Sequence, residues 1–375
     1  MHSRPRSRKR LVIAALSVLV APLLGAPPAA AADFIMWIGP DRGAAGTPVK
    51  IYGVNDPAAE RTVAWVCDWF PPGPPNQVIG TVQVTNRSWM IESRVPEGCV
   101  TGYTEGPQGL VPHVTVLAYG GDGAAANFTL TDTPADCPRV LFLGAHGINE
   151  GAEGGVAEKE YWGETIESVW STFEEKVEGE RAEAGDYPRY DVDLQSLIDR
   201  GSLDALPAIL GLEAAANESA EVLQTQVIDQ FVQCGTRTRI VLAGFSLGGW
   251  AVDKALRSLS GSPAGVDALA AVAGAGVMGD PAFPPHFCDI SPCRQGAATW
   301  VGRGYATDAI YFDNGLADRF RSMCLSYAEN ERDPICGSRA NPLIDLGPRG
   351  IEVHNEYDES GGTVLMGDFL AGLVN

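Results

Sequence analysis

The sequence predicts an α/β chain, a mostly parallel sheet covered by helices on both faces, preceded by a small all-β sandwich. Three observations carry that expectation. Residues 33–133 are filled by short alternating apolar runs broken by turn residues, the pattern of half-buried strands. After the polar, proline-containing linker Asp132-Thr133-Pro134-Ala135-Asp136, apolar groups recur at three and four residues between short buried runs, the alternation that builds parallel sheets. Within that second part, the stretch from Arg239 to Trp250 reads as a buried strand, a G-x-S-x-G turn at Gly244, Ser246 and Gly248, and the start of a helix.

Residues 1–32 are read as a secretory signal peptide. Arg4, Arg6, Arg8, Lys9 and Arg10 precede an apolar run over 11–24, and Ala30-Ala31-Ala32 offers a small-residue cleavage site. The run is short for a spanning helix and no later stretch reaches that length, so a soluble, extracellular protein without an integral membrane segment is expected. Removing the segment takes away five cationic and no acidic residues, which moves the formal charge from −20 to −25. So acidic a chain argues against nucleic acid or an anionic membrane as partner. Eight cysteines in an exported chain point to disulfides. None sits in a C-x-x-C pair and histidine is scarce, so no metal and no cofactor is expected.

Within 33–133, strands are expected at 47–52, 62–66, 77–84, 113–118 and 127–131, which resembles a small sandwich. The opening Ile38-Gly39-Pro40, Gly43 and Gly46-Thr47-Pro48-Val49-Lys50-Ile51-Tyr52-Gly53 resembles the first hairpin of IPT/TIG immunoglobulin-like domains. Cys67 and Cys99 are the only cysteines of the segment and are paired on that ground. Trp37, Trp65, Trp69 and Trp89 have two readings, a carbohydrate-binding platform or, more commonly in small β-domains, core.

Residues 134–375 form the second expected domain. It begins with a buried strand at 140–143 and a glycine-rich loop at 144–150, followed by a helix over 161–177. The acidic run 174–186 reads as a solvated helix end and loop, and 191–197 has no assignment. A helix at 218–234, the strand before Ser246, a helix over 250–259 and a strand at 268–273 come next. An irregular region at 279–317, a strand at 319–325 and a last helix at 363–373 complete the chain.

A serine hydroxyl is a poor nucleophile and needs a base, while the helix N-terminus behind it supplies amide donors for a developing oxyanion. The residue after the serine, Leu247, is one such donor. In this fold the acid and the histidine follow the serine in chain order. Only His286 and His354 lie beyond Ser246; His286 leaves no room for an acid-bearing strand, so His354 is preferred. Asp333, between two cysteines that would clamp its loop, is the first candidate acid, with Asp313, Asp318 and Asp345 as alternatives.

Residues 137–375 resemble the cutinase family of serine esterases (α/β-hydrolase fold), particularly its actinobacterial members. The resemblance rests on Cys137-Pro138, on Gly147-x-x-Glu150, and on Cys234 ahead of Gly244-Phe245-Ser246-Leu247-Gly248-Gly249. It also rests on Gly279-Asp280-Pro281, and on Cys324 followed by Asp333-Pro334-Ile335-Cys336 and His354-x-x-Tyr357. It implies Ser246 as nucleophile, His354 as base and Asp333 as the acid that orients it, with the backbone N–H groups of Leu247 and Ile148 as oxyanion donors. It further implies disulfides Cys137–Cys234 and Cys324–Cys336, leaving Cys288 to Cys293. Two positions depart from the family pattern, Leu247 in place of glutamine and Ile148 in place of serine or threonine.

The expected activity is hydrolysis of acyl esters or polyesters through an acyl-enzyme. Two other readings are an acetylxylan-type polysaccharide deacetylase, with the β-domain holding the polymer, and a catalytically weak surface-binding protein on a hydrolase scaffold.

Overall fold

The structure is a computed structural model that describes residues 33–67, 76–106, 109–120, 123–132, 135–147, 163–178, 180–184, 206–281, 316–328, 331–337 and 350–375. The signal-peptide reading of 1–32, the segment 191–197, and most of the irregular region 279–317 lie outside these residues.

Period-two alternation packs the first part into two sheets. Strands β1 (Ile35–Gly39), β3 (Pro48–Val54) and β6 (Ser88–Arg94) form an antiparallel sheet in the order β1-β3-β6. The second sheet holds β2 (Arg42–Gly43), β4 (Glu60–Val66), β5 (Gln77–Gln83), β7 (Gly102–Gly106), β8 (Gly109–Tyr119) and β9 (Ala124–Leu130). Its order is β2-β9-β8-β4-β5, with β7 added on β8 and only the β2–β9 pair parallel. Between the sheets Met36, Ile38 and Ile51 meet Val63, Trp65, Val114, Val116 and Phe128, and the Cys67–Cys99 disulfide joins this core.

The platform reading of the tryptophans fails for the three described. Trp37, Trp65 and Trp89 are 7%, 2% and 3% exposed, and each indole N–H finds an acceptor: Asp229 Oδ1 at 2.6 Å, Ser93 Oγ at 3.0 Å and the buried Asp56 Oδ2 at 2.7 Å respectively. A buried indole needs such an acceptor. Trp69 lies outside the described residues.

The second part is a five-stranded parallel sheet in the order β11-β10-β12-β13-β14. These are β10 (Val140–Ala145), β11 (Glu180–Ala184), β12 (Arg239–Phe245), β13 (Val272–Met278) and β14 (Phe320–Met323). Its helices are α1 (Gly163–Glu174), α2 (Leu206–Cys234), α3 (Leu247–Ser260), α4 (Pro263–Ala268) and, at the C-terminus, α7 (Gly362–Val374). A buried parallel sheet needs apolar groups on both faces. Leu141, Leu143, Ile240 and Leu242 face the cluster built with α2, α3 and α4. Val140, Phe142, Val241, Ala243 and Phe245 face the one built with α1 and α7.

Three expectations change. The acidic run 174–186 is not all helix end and loop: 180–184 pairs in parallel with β10 from Val140↔Glu180 to Gly144↔Ala184. It is the edge strand, a position where charged residues are common and only one side of the backbone needs pairing. The apolar run at 268–273 is split, because the Ser262 hydroxyl accepts the Gly265 N–H at 3.1 Å and Pro263 starts a helix, so that β13 begins only at Val272. Helix α2 begins at Leu206, twelve residues before the expected 218.

The two sets of sheets share contacts. Trp37, Tyr52 and Val54 belong to the same buried cluster as Val232 on α2 and Ala268 on α4. Lys50 Nζ and Tyr52 Oη both donate to Asp267 Oδ2, at 2.7 and 2.8 Å, and the Asp41 N–H donates to Val232 O at 3.1 Å. Residues 33–375 thus form one compact unit.

Candidate active site

The site is assembled at the ends of β12 and β13 and on two short helices, α5 (Pro334–Gly337) and α6 (Gly350–Asn355). Ser246 sits between β12 and α3 with φ 54° and ψ −118°, a backbone conformation that costs a non-glycine residue about 1–3 kcal/mol. Its N–H donates to Met278 O at 2.8 Å, which fastens the turn to the end of β13. The flanking glycines are demanded by close approach. A Cβ on Gly244 would lie 2.6 Å from Gly248 O, and one on Gly248 would lie 2.0 Å from Ala145 O. Leu247 is the first residue of α3, so its N–H has no acceptor within the helix.

Asp333 follows β16 (Glu331–Arg332), which pairs with β15 (Ser326–Ala328), and its two carboxylate oxygens have separate tasks. Oδ1 accepts the Ile335 N–H at 2.8 Å and so caps α5. Oδ2 accepts from His354 Nδ1 and from the Tyr357 hydroxyl, both at 2.8 Å. The Cys324–Cys336 disulfide spans this segment, and the Asp333 N–H is tied to Leu325 O at 2.8 Å. Asp333 is fully buried; three donors offset the cost of sealing a carboxylate away from water.

His354 lies on α6 and is 7% exposed. Its ring stacks on Phe245, centroids 4.8 Å apart and planes at 24°. Phe245 immediately precedes Ser246, so the stack brings the imidazole to the elbow. No hydrogen bond joins the Ser246 hydroxyl to His354 among the described residues. With Nδ1 engaged by Asp333, Nε2 is the ring nitrogen left for another partner. Beneath the pair lies Gly279, φ +60°, where a Cβ would fall 2.7 Å from His354 Cε1 and 3.0 Å from Asp333 Oδ2.

No protein-family model matches the chain, and no curated protein matches it. Solved structures it resembles include cutinases and a lipase. A cutinase-like protein from Cryptococcus sp. is 16% identical over 64% of this chain and 98% of that one, with a TM-score of 0.42. The Trichoderma reesei cutinase is 15% identical over 64% and 78%, with a TM-score of 0.35. The Bacillus licheniformis lipase BlEst2 is 14% identical over 63% and 65%, with a TM-score of 0.20.

Of the other expected site residues, Ile148 lies outside the described residues, as do Glu150, Cys288, Cys293, His286, Asp313 and Asp345. The loop leading to position 148 does run against the elbow, since a Cβ on Gly147 would be 3.1 Å from Ser246 Cβ. Asp318 is exposed, within the short turn Ala317–Arg319. The Cys137–Cys234 bond is formed and ties the entry of β10 to the end of α2. Among the described residues no cluster of three or more histidine, cysteine or acidic side chains is placed to hold a metal ion. A cleft of about 820 Å³ opens where the sandwich meets α2 and α4, lined by Lys50, Tyr52, Arg94 and Phe231 and by none of the residues above.

Two features were not read from the sequence. Asp253, on α3 one helical turn beyond Gly249, is 1% exposed and faces the fully buried Asp280. Burial first, then the charge of Asp280 and the hydrogen bond between them, hold the Asp253 carboxyl well above the usual carboxylate range. An aspartate within the apolar stripe of an amphipathic helix was the available signal. The second feature is the Tyr357 hydroxyl on Asp333. Burial, the Asp333 charge and the hydrogen bond to it push this phenol well above its ordinary value, so it stays a donor.

Proposed function

We propose that the chain is a secreted serine carboxylester hydrolase working through an acyl-enzyme on acyl esters or polyesters. The observation that carries this reading is the buried Asp333–His354 hydrogen bond, with the imidazole stacked on the residue next to Ser246. In this reading Ser246 Oγ attacks the ester carbonyl carbon while its proton passes to Nε2 of His354. The carbonyl electron pair moves onto oxygen, received by the N–H of Leu247 and, in this assignment, of Ile148. Collapse expels the alcohol, which takes the proton from the imidazolium; a water molecule then repeats the cycle on the acyl-serine.

The organisation belongs to the same proposal: a signal peptide at 1–32, an IPT/TIG-like domain at 33–133, a cutinase-like hydrolase domain at 134–375 and a fourth disulfide, Cys288–Cys293. Hydrolysis of a short p-nitrophenyl ester by the full chain tests it. Ser246→Ala is expected to lower kcat by about 10⁶-fold, since only binding and the oxyanion donors remain. Equal rates from the two proteins would end the reading. Faster turnover of acetylated xylan than of fatty-acyl esters would assign the same machinery to a polysaccharide deacetylase.

A further inference from the structure

We infer that Tyr357 is a positioning residue that sets the basicity of the Asp333–His354 pair by sharing Asp333 Oδ2 with the imidazole. This rests on the hydrolase reading above for its effect on turnover, but not for its effect on the imidazole itself.

The geometry is specific. The Tyr357 hydroxyl lies 2.8 Å from the same oxygen that accepts the His354 Nδ1–H, also at 2.8 Å. Its own oxygen accepts the Leu325 N–H at 3.0 Å. With that acceptor site used, the one phenolic proton has two oxygens in reach, Asp333 Oδ2 and, farther off at 3.3 Å, Met323 O. The nearer and charged one is the stronger acceptor. The ring is held in place by an edge contact with Phe245 at 5.5 Å, the same ring on which His354 stacks. Tyrosine, imidazole and phenylalanine thus form one packed group around one carboxylate.

Among the described residues, the titratable groups facing the imidazole are Asp333, from the segment before α5, and Tyr357, from the turn after α6. Phe245 covers it from β12 and Gly279 from the end of β13. Among the described residues no cation competes with the phenol for Oδ2. Two donors on one oxygen divide its electron density. Withdrawing the phenol leaves more for Nδ1–H and favours the imidazolium, so a more alkaline solution is needed to free the base.

The test is Tyr357→Phe in the full chain, which keeps the ring and removes the donor. The acid limb of kcat/KM against pH is expected to move to higher pH by on the order of one unit, the size of one hydrogen bond to a charged group. The Nδ1–H proton resonance of His354 is expected to move downfield. A folded variant with slower turnover but an unmoved limb and an unmoved resonance would mean a packing role only, and would overturn the inference. 3-Fluorotyrosine at position 357, a stronger donor of the same shape, should move both readouts the other way. If Tyr357→Phe fails to fold, this substitution decides alone, and no movement with it counts against the inference. Should Ser246→Ala hydrolyse as well as the parent protein, the hydrolase reading falls, while the resonance still reports whether Tyr357 acts on the imidazole.

Discussion

At the scale of single residues, Ser246 is where function and stability pull apart. Its positive φ suits glycine and no other residue, and the conformation persists because the Met278 carbonyl and the first turn of α3 hold it. Ser246→Gly is therefore expected to be more stable than Ser246→Ala by about 1 kcal/mol, with both equally inactive. Chemical denaturation of the two variants measures the difference; an alanine variant at least as stable would show that the turn is not strained. This residue was legible in the sequence because a glycine two before and two after it is a steric requirement. Asp333 and His354 were legible through chain order and cysteine spacing. Tyr357 was visible only as part of a motif, because a hydrogen bond between a phenol and a carboxylate twenty-four residues apart leaves no periodic trace. The placement of His354 on α6 was missed for a related reason, since six residues are too few to display a helical repeat.

At the scale of elements, β13 organises the site. Met278 holds the Ser246 N–H, Gly279 lies under His354 and Asp333, and Asp280 meets Asp253 on α3. The Asp253 carboxyl has a raised folded value, so its protonated form contributes stability that is fully present below the ordinary carboxylate value. That contribution is lost as pH rises through the raised one. Asp253→Asn keeps a donor toward Asp280 without the titration. Its melting temperature is expected to fall less than that of the parent between pH 5 and pH 9, as thermal denaturation across that range would register; parallel curves would rule out a raised value for Asp253. Element boundaries were less legible than element identities. The alanine-rich stretch before β13 has no polar residue to separate helix from strand, and the charged edge strand β11 carries none of the apolar alternation by which strands are recognised. The strand and helix around Ser246 were plain because an unbroken apolar run and a helical stripe meet at glycine.

At the scale of the whole molecule, the two halves were legible as separate compositions, yet their contact was not. Nothing in alternation or spacing announces that Trp37 donates to Asp229 or that Lys50 and Tyr52 converge on Asp267. Those pairs are nearly two hundred residues or more apart in the chain and are specified only by the folded surfaces. Because Trp37, Tyr52 and Val54 share a buried cluster with the helices of the second part, residues 33–375 are expected to unfold in a single transition. Tryptophan fluorescence and far-ultraviolet circular dichroism should give coincident midpoints; two separated midpoints would mean that the halves are energetically independent. Anyone trimming this protein to a minimal catalyst would therefore do more than discard an accessory. The cut would uncover Val232 and its apolar neighbours, strip Asp229 of its indole donor and leave Asp267 without the Lys50 ammonium and the Tyr52 hydroxyl, leaving a shortened chain prone to self-association.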